Sequence, residues 1–235
     1  MKKFKLTSEF IVDISGVKLF RIKALIEFGN VKAGDLGGYI EKEENLSHMG
    51  DAWVSDDARI SGNAQVFGNA RVSGDAWVFG NARVSGDAWV FGNAWVSGDA
   101  WVFGNARVSG NAQVFGNARV FGNAWVSGNA RVSGDTQVFG DARVFGDARV
   151  SGDAQVFGDA RVSGDKDYAY AHGFGSCNRT TTFFRLKDGD VGVRCGCFYG
   201  TLAQFRDKVC ETHGETKKAQ EYLMLADLME IRFKN

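Results

Sequence analysis

An uninterrupted six-residue repeat constrains the fold of this chain more than any other feature of its sequence. The hexad Val66-Phe67-Gly68-Asn69-Ala70-Arg71 is typical, and every sixth position from 54 to 162 is Val or Ile. The matching small position is Ala throughout, except at Thr136, and no insertion or deletion interrupts the run. Such a chain repeats one structural unit, and each unit must bury its apolar face against its neighbours.

Each hexad combines a short strand with a corner. The order Ala-Arg-Val-Ser alternates apolar and polar residues, so Ala and Val face one side of a strand. The following Gly-Asn or Gly-Asp supplies a bend, because these residues tolerate positive φ. A unit this short cannot fold alone and must stack on its own copies, with strands roughly 4.8 Å apart.

The hexads resemble the hexapeptide repeat of left-handed β-helices, in which an aliphatic and a small residue point inward. In that family three hexads form one triangular coil of 18 residues. The resemblance implies a left-handed parallel β-helix of about seven coils over residues 36–165. The phase is weaker at the start of this tract, where Leu36, Lys42 and His48 fall on the Val position and Ile40 and Leu46 on the Ala position.

The two ends of the chain lack the period. Residues 1–35 contain two strand-like segments, Phe4–Leu6 and Val17–Phe28. We expect them to form a small β cap on the first coil, whose free backbone groups would otherwise be an aggregation edge.

Residues 166–235 predict a separate ββαα module. Thr180–Leu186 and Val191–Phe198 have the composition of a hairpin. Thr201 is a candidate N-cap for a first helix, and a second helix is expected from about Thr216 to Ile231. This module either caps the last coil or presents a binding surface of its own.

The segment Val31–Ser47, together with the hexads, resembles bacterial and phage hexapeptide-repeat proteins of the YdcK type. Thr180–Gly200 resembles the end domain of phage-associated members of this group. The resemblance covers the first part of the repeat tract and the repeats themselves. It implies a β-helix and a phage or prophage origin, and it implies no particular activity.

The charge balance argues against a protein that binds long nucleic acids. Basic and acidic residues number 28 each, which gives a formal net charge of zero. The short apolar run near the N-terminus is flanked by Glu9 and Asp13 and fits neither a signal peptide nor a membrane span. We therefore expect a cytoplasmic protein without a membrane partner, in the host cytoplasm if a phage encodes it.

On the first face of the coils, tryptophan and arginine alternate at the outward position before Val. The candidate binding residues at this position are Trp53, Arg71, Trp89, Arg107, Trp125 and Arg143, and Arg161 follows them. Stacked at this spacing, they would form an exposed cation–π ladder. Arginine beside tryptophan can hold a phosphate while stacking a planar base, which makes nucleotide-type ligands candidates.

On the third face, the residue after Val is mostly phenylalanine. The predicted outward stripe consists of Phe67, Phe103, Phe121, Phe139 and Phe157, with Ser85 between the first two. An apolar stripe of this size is unusual on a monomer and predicts a homo-oligomer. Left-handed β-helix proteins often form trimers along their flat faces, so the resemblance implies a trimer first and a dimer second. The alternative is a by-product of repeat expansion, with the rings shielding ladder edges.

The sequence offers few groups for catalysis or metal binding. Cys195, Cys197, Cys210 and His213 are weak zinc candidates, with Cys177 and His172 as additions, because C-x-C is not a familiar zinc spacing. Buried free thiols and disulfides are the alternatives, and we expect no cofactor. Related hexapeptide β-helices include acyltransferases, which require histidines near coil junctions, but the only other histidine here is His48.

Three functions remain open from the sequence. The first is a non-enzymatic binding protein, phage-encoded, that sequesters a host molecule such as a nucleotide signal or a host protein. The second is a structural or assembly spacer. The third is an acyltransferase-like enzyme.

Overall fold

The N-terminal region is a β-hairpin that runs into the first coil of a solenoid. The structure, a computed structural model, describes residues 2–175 and 179–234. The first strands are β1 (Phe4–Val12), β2 (Lys18–Ala24) and β3 (Leu36–Ile40). β1 pairs with β2 and β2 with β3, both antiparallel, and β3 then pairs parallel to a solenoid strand. The predicted β cap therefore extends one of the solenoid sheets.

Between residues 53 and 162, all of which the structure describes, nineteen two-residue strands (β4–β22) form three parallel sheets. Face 1 comprises Trp53–Val54, Arg71–Val72, Trp89–Val90, Arg107–Val108, Trp125–Val126, Arg143–Val144 and Arg161–Val162. Face 2 comprises Arg59–Ile60, Trp77–Val78, Trp95–Val96, Gln113–Val114, Arg131–Val132 and Arg149–Val150. Face 3 comprises Gln65–Val66, Arg83–Val84, Trp101–Val102, Arg119–Val120, Gln137–Val138 and Gln155–Val156.

Each of these strands pairs with the strand 18 residues away. Trp89, for example, lies between Arg71 and Arg107 in the parallel register. The predicted solenoid of about seven 18-residue turns is confirmed. Its left-handed sense stays an expectation from the resemblance.

The interior of the solenoid contains the aliphatic and small positions of every hexad. Each Val, Ile and Ala at these positions from residue 54 to 162 is fully buried. Thr136 is also buried, and its hydroxyl donates to the carbonyl of Ser133 at 2.7 Å. At the corners, glycine is required by the backbone: Gly104 has φ of 69°, and a Cβ there would lie 3.1 Å from the nitrogen of Gly122.

Asparagine and aspartate side chains form hydrogen-bonded columns along the corners. Asn93 donates to Asn111, Asn111 to Asn129, and Asn129 to Asp147, at 3.2, 3.0 and 3.0 Å. A carboxamide both donates and accepts, whereas a carboxylate only accepts. Each column therefore runs toward the C-terminal end and stops at an aspartate.

The predicted phase of the first coil was wrong by two residues. Ile40 pairs with Ile60, and Leu46 forms a bridge with Val66, so both occupy the Val position rather than the Ala position. The physical reason is burial, since the larger aliphatic side chains occupy the interior. Lys42 and His48, which were predicted there, would place polar groups inside. Leu36, also predicted on the Val position, is exposed.

The C-terminal module has four strands and two helices. Its strands are β23 (Tyr168–Phe174), β24 (Arg179–Arg185), β25 (Val191–Cys195) and β26 (Phe198–Thr201), followed by α1 (Leu202–His213) and α2 (Lys217–Phe233). The four strands form one antiparallel sheet in the order β23-β24-β25-β26.

This module confirms the predicted hairpin and both helices, including the N-cap at Thr201. The ββαα prediction missed β23 and β26. Both are edge strands interrupted by glycine, so their alternation is weak. No helix in the described residues is long and apolar enough to cross a membrane.

Candidate functional site

The Trp/Arg face is the outward surface of face 1 formed by the residue before each Val. Parallel pairing stacks Trp53, Arg71, Trp89, Arg107, Trp125, Arg143 and Arg161 directly along the solenoid. This order agrees with the sequence prediction for the binding residues.

The predicted exposed cation–π ladder is only partly present. Trp53 is only 7% exposed, because its ring packs edge-on against Phe28 at 5.4 Å. Trp89 is 40% exposed. Within the described residues of this face, one cation–π contact forms, with the guanidinium carbon of Arg143 5.5 Å from the ring of Trp125.

The indoles are held by hydrogen bonds that the sequence analysis missed. Trp89 Nε1 donates to Ser73 Oγ at 3.2 Å, and Trp125 Nε1 donates to Ser109 Oγ at 2.9 Å. In both cases the serine lies 16 residues earlier, on the preceding coil. A tryptophan with serine at i−16 is a signal that can be read once the 18-residue coil is known. The bonds tie each indole to the preceding coil, and at Trp125 the hydrogen bond and the cation–π contact with Arg143 occur together.

A groove of about 720 Å³ runs along this face. Its lining includes the outward residues of face 1, which are Trp89, Arg107, Trp125, Arg143 and Arg161, together with Lys187 of the C-terminal module. The corner residues Asp87, Asn105, Asn123, Asp141 and Asp159 complete the lining. The groove therefore combines exposed indole surface with both signs of charge, at a size common for ligand sites.

The cationic groups of the groove are not neutralised by ion pairs. Within the described part of the chain, no carboxylate lies within 4.0 Å of the guanidinium of Arg107 or Arg143. Arg161 instead donates to backbone carbonyls, of which that of Ala160 is nearest at 2.8 Å. The carboxylate of Asp141 accepts from the Asn123 amide at 3.0 Å. Donors for an anionic ligand thus remain available.

A smaller cavity of about 310 Å³ adjoins the groove at its N-terminal end, and Trp89 lines both. Asp51, Asp56 and Arg71 supply its charged groups. Asp56 stands where other hexads have glycine and is the one non-glycine residue with positive φ in the described ranges, at 56°. Its carboxylate accepts from the Gly74 N–H at 2.9 Å, which holds it beside the cavity.

The phenylalanine stripe of face 3 is a stacked column. The rings of Phe103 and Phe121 lie 4.9 Å apart at 4°, and those of Phe121 and Phe139 lie 4.8 Å apart at 5°. Phe157 continues the column and meets Tyr199 of the C-terminal module edge-on at 4.8 Å. The rings cover one another and are half-buried, as is the separate Phe67. Their role as a subunit interface stays a prediction.

The weak zinc candidates lie in the C-terminal module. Cys195 is half-buried and accepts from the Thr181 hydroxyl at 3.2 Å, while Cys197 and Cys210 are exposed. The ring of His213 lies against Tyr222 at 5.7 Å. Among the described residues, no group of three or more ligand-type side chains is arranged to hold a metal ion. Cys177 lies outside the described residues.

Comparison with known families identifies the class of the repeats. Five segments match the model of the YdcK beta solenoid repeat: residues 64–80, 76–92, 112–128, 124–140 and 136–152. The chain is therefore a β-solenoid repeat protein. Its repeats are similar to those of YdcK. No curated protein matches the chain.

Proposed function

We propose that this protein acts by binding, without catalysis, and that the Trp/Arg face takes a planar anionic ligand of the nucleotide type. The proposal depends on one observation. In the described part of the chain, Arg107 and Arg143 have no carboxylate partner, and they share a groove of about 720 Å³ with the exposed ring of Trp89.

The spacing of these groups suits a ligand with a base at one end and phosphates at the other. Trp89 offers a ring on which a base can stack, a contact worth about 1–3 kcal/mol. Arg107 is one coil further along and Arg143 three coils, which is roughly 5 and 14 Å from Trp89. Guanidinium groups bind phosphate oxygens in pairs, so each adds geometric specificity as well as charge.

The resemblance to phage-associated repeat proteins suggests where such binding would act. A phage- or prophage-encoded protein in the host cytoplasm would sequester a host nucleotide signal. Sequestration requires affinity and abundance but no reaction, which suits a rigid groove without a catalytic histidine.

The test is a panel of mono-, di-, tri- and cyclic nucleotides, measured by thermal shift and by calorimetry. We expect one class to raise the melting temperature by mass action. Arg143→Gln should weaken its binding at least tenfold, which is about 1.4 kcal/mol. The matched control is Arg119→Gln, which changes the same strand position on face 3, outside the groove. Equal losses in both variants, or no response to any nucleotide, would refute the proposal.

A structural or assembly spacer is the second candidate function. It is favoured by the uninterrupted stack between residues 53 and 162, whose three sheets have no projecting loop. The same panel separates the two functions, because a spacer has no small-molecule ligand to bind.

A further inference from the structure

We infer that α2 carries a docking surface for a second copy of this chain. Met224, Leu228 and Ile231 are 71%, 55% and 69% exposed. Their spacing of four and three residues places them on one stripe of the helix, which we call the α2 stripe. Isolated exposed apolar residues are common on proteins, but a contiguous helical stripe points to a partner.

The α2 stripe is not needed to fold the C-terminal module. The opposite side of the helix supplies the packing through Ala219, Tyr222, Ala226, Met229 and Phe233, all buried in the module core. α2 therefore has two apolar sides, one facing its own sheet and α1 and one without cover in the described structure.

An open cavity beside the α2 stripe provides room for side chains of a partner. It has a volume of about 610 Å³ and lies between α2 and the last coils of the solenoid. Leu228, Tyr168 and the exposed Tyr170 supply its apolar lining, and Arg149 and Arg232 its cations. A long apolar side chain of a second α2 can enter it, in the way that helices interlock.

The charges beside the stripe favour a second copy in an antiparallel arrangement. At about 100° per residue, Glu221 and Arg232 lie on the same flank of the α2 stripe. In the described residues, neither forms an ion pair. Within the described residues, Glu221 accepts the Gly175 N–H at 2.8 Å, and Arg232 donates to the backbone carbonyls of Asp165 and Tyr168.

When a twofold axis relates two antiparallel helices, the same flank of each helix lies beside that of its partner. The N-terminal half of one helix then faces the C-terminal half of the other. Glu221 of each copy then faces Arg232 of the other, so the complementary pair forms twice. The other flank already has its charges matched within the chain, where Arg206 pairs with Asp227 and Glu230. A second copy thus satisfies the unpaired charges as well as covering the apolar stripe.

The exposed apolar area of the α2 stripe indicates how tightly the two copies should bind. The three side chains expose roughly 400 Å², about half of the roughly 800 Å² per partner in a standard interface. Tyr170 and the charged flank supply more of the contact. The dimer should therefore be reversible, with dissociation in the micromolar range.

The experiment is sedimentation of the full chain at high micromolar concentration. We expect a monomer–dimer equilibrium that Leu228→Ser with Ile231→Ser shifts to monomer. The control is Phe103→Ser with Phe121→Ser, which takes two rings out of the phenylalanine column on face 3 and should leave the dimer intact. A monomeric parent, a trimer, or a dimer lost only in the phenylalanine variant overturns the inference. Circular dichroism confirms that each variant is folded.

Charge reversal tests the antiparallel arrangement independently of the apolar contact. Glu221→Arg or Arg232→Glu alone should weaken the dimer about tenfold, which corresponds to about 1.4 kcal/mol. The two changes together should restore it, because the pair is re-formed with opposite signs. Loss without restoration in the double variant contradicts the antiparallel pairing.

Discussion

The two ends of the solenoid are closed by opposite chemistry. At the first coil, side-chain donors cover backbone carbonyls. Lys3 Nζ donates to Gly50 O at 3.1 Å and Ala52 O at 2.8 Å, and Asn45 Nδ2 donates to Gly62 O at 3.1 Å and Ala64 O at 2.8 Å. At the last coil, side-chain acceptors cover backbone N–H groups. Asp165 Oδ1 accepts from Arg149 N at 2.8 Å, and Thr182 Oγ1 accepts from Gln155 N at 2.9 Å.

This difference follows from the direction of the hydrogen bonds around the corners. There the N–H of one coil donates to the carbonyl of the next coil, as Asn63 N does to Gly80 O at 2.8 Å. The first coil is left with free carbonyls and the last with free N–H groups. Unpaired backbone groups are costly when buried. Each end therefore needs its own residue types, and the ends are not interchangeable.

The largest loss of stability is expected from a charge placed in the interior of the solenoid, away from both ends. Val102 is fully buried, and its strand neighbours inside are Val84 and Val120. Val102→Asp places an unpaired charge among them, at a cost of several kcal/mol. Because each coil depends on the next, we expect thermal unfolding by circular dichroism to show loss of the whole stack. Arg119→Asp, on the exposed side, is the control and should melt near the parent temperature.

The interior could be predicted from the sequence because its signal is repeated many times. One error in a single hexad is corrected by its neighbours, so the six-residue period and the inward residues could be predicted from the repeat itself. The 18-residue coil came from the resemblance to hexapeptide-repeat proteins. The first coil has no such redundancy. There Ile40 and Leu46 were assigned to the wrong position, since a two-residue shift in one coil leaves no periodic trace.

The candidate site was predicted in its order but not in its detail. The alternation of Trp89, Arg107 and Trp125 follows directly from the register. The burial of Trp53 could not be foreseen, because it depends on Phe28 in a non-repeating segment. The capping role of Lys3 was missed for the same reason, since a lysine near the N-terminus gives no sign that it is buried. Contacts between repeating and non-repeating segments require coordinates.

Removing one capping side chain from each end of the solenoid should have an intermediate effect on stability, and it tests whether the two ends are closed by different residue types. Lys3 is only 1% exposed, so Lys3→Met leaves two carbonyls without donors. We expect a loss of about 2–4 kcal/mol of unfolding free energy. Thr182→Val removes one acceptor for one N–H, which should cost about 1–2 kcal/mol. Denaturant unfolding measures both.

Lys5→Met is the matched control at the N-terminal end, because Lys5 lies two residues further along, in β1, and is exposed. It should change the unfolding free energy by less than about 0.5 kcal/mol. Equal effects of Lys3→Met and Lys5→Met would show that the lysine does not cap the coil. A larger loss from Thr182→Val than from Lys3→Met would reverse the expected order of the two ends.

The smallest expected effect is a pH dependence that belongs to the N-terminal end alone. Burial lowers the pKa of Lys3 from 10.5 to about 8, against the opposing attraction of Asp51. The neutral amine still has two N–H groups, enough for both carbonyls. Between pH 8 and 10.5 the unfolded chain therefore binds more protons than the folded one, so stability rises with pH. The stability that Lys3 contributes through this shift is fully present above pH 10.5, where the amine is neutral in both states, and is lost as the pH falls through 8.

Denaturant unfolding of the parent and of Lys3→Met at several pH values measures the pH-dependent contribution of Lys3 to the free energy of unfolding. The two proteins differ only at residue 3, so the difference between the two curves isolates Lys3. The parent should gain about 1 kcal/mol over Lys3→Met between about pH 8 and 9. Thr182 has no titratable group, so Thr182→Val should follow the parent curve in parallel. Parallel curves for all three proteins would mean that the Lys3 ammonium is not desolvated at the first coil.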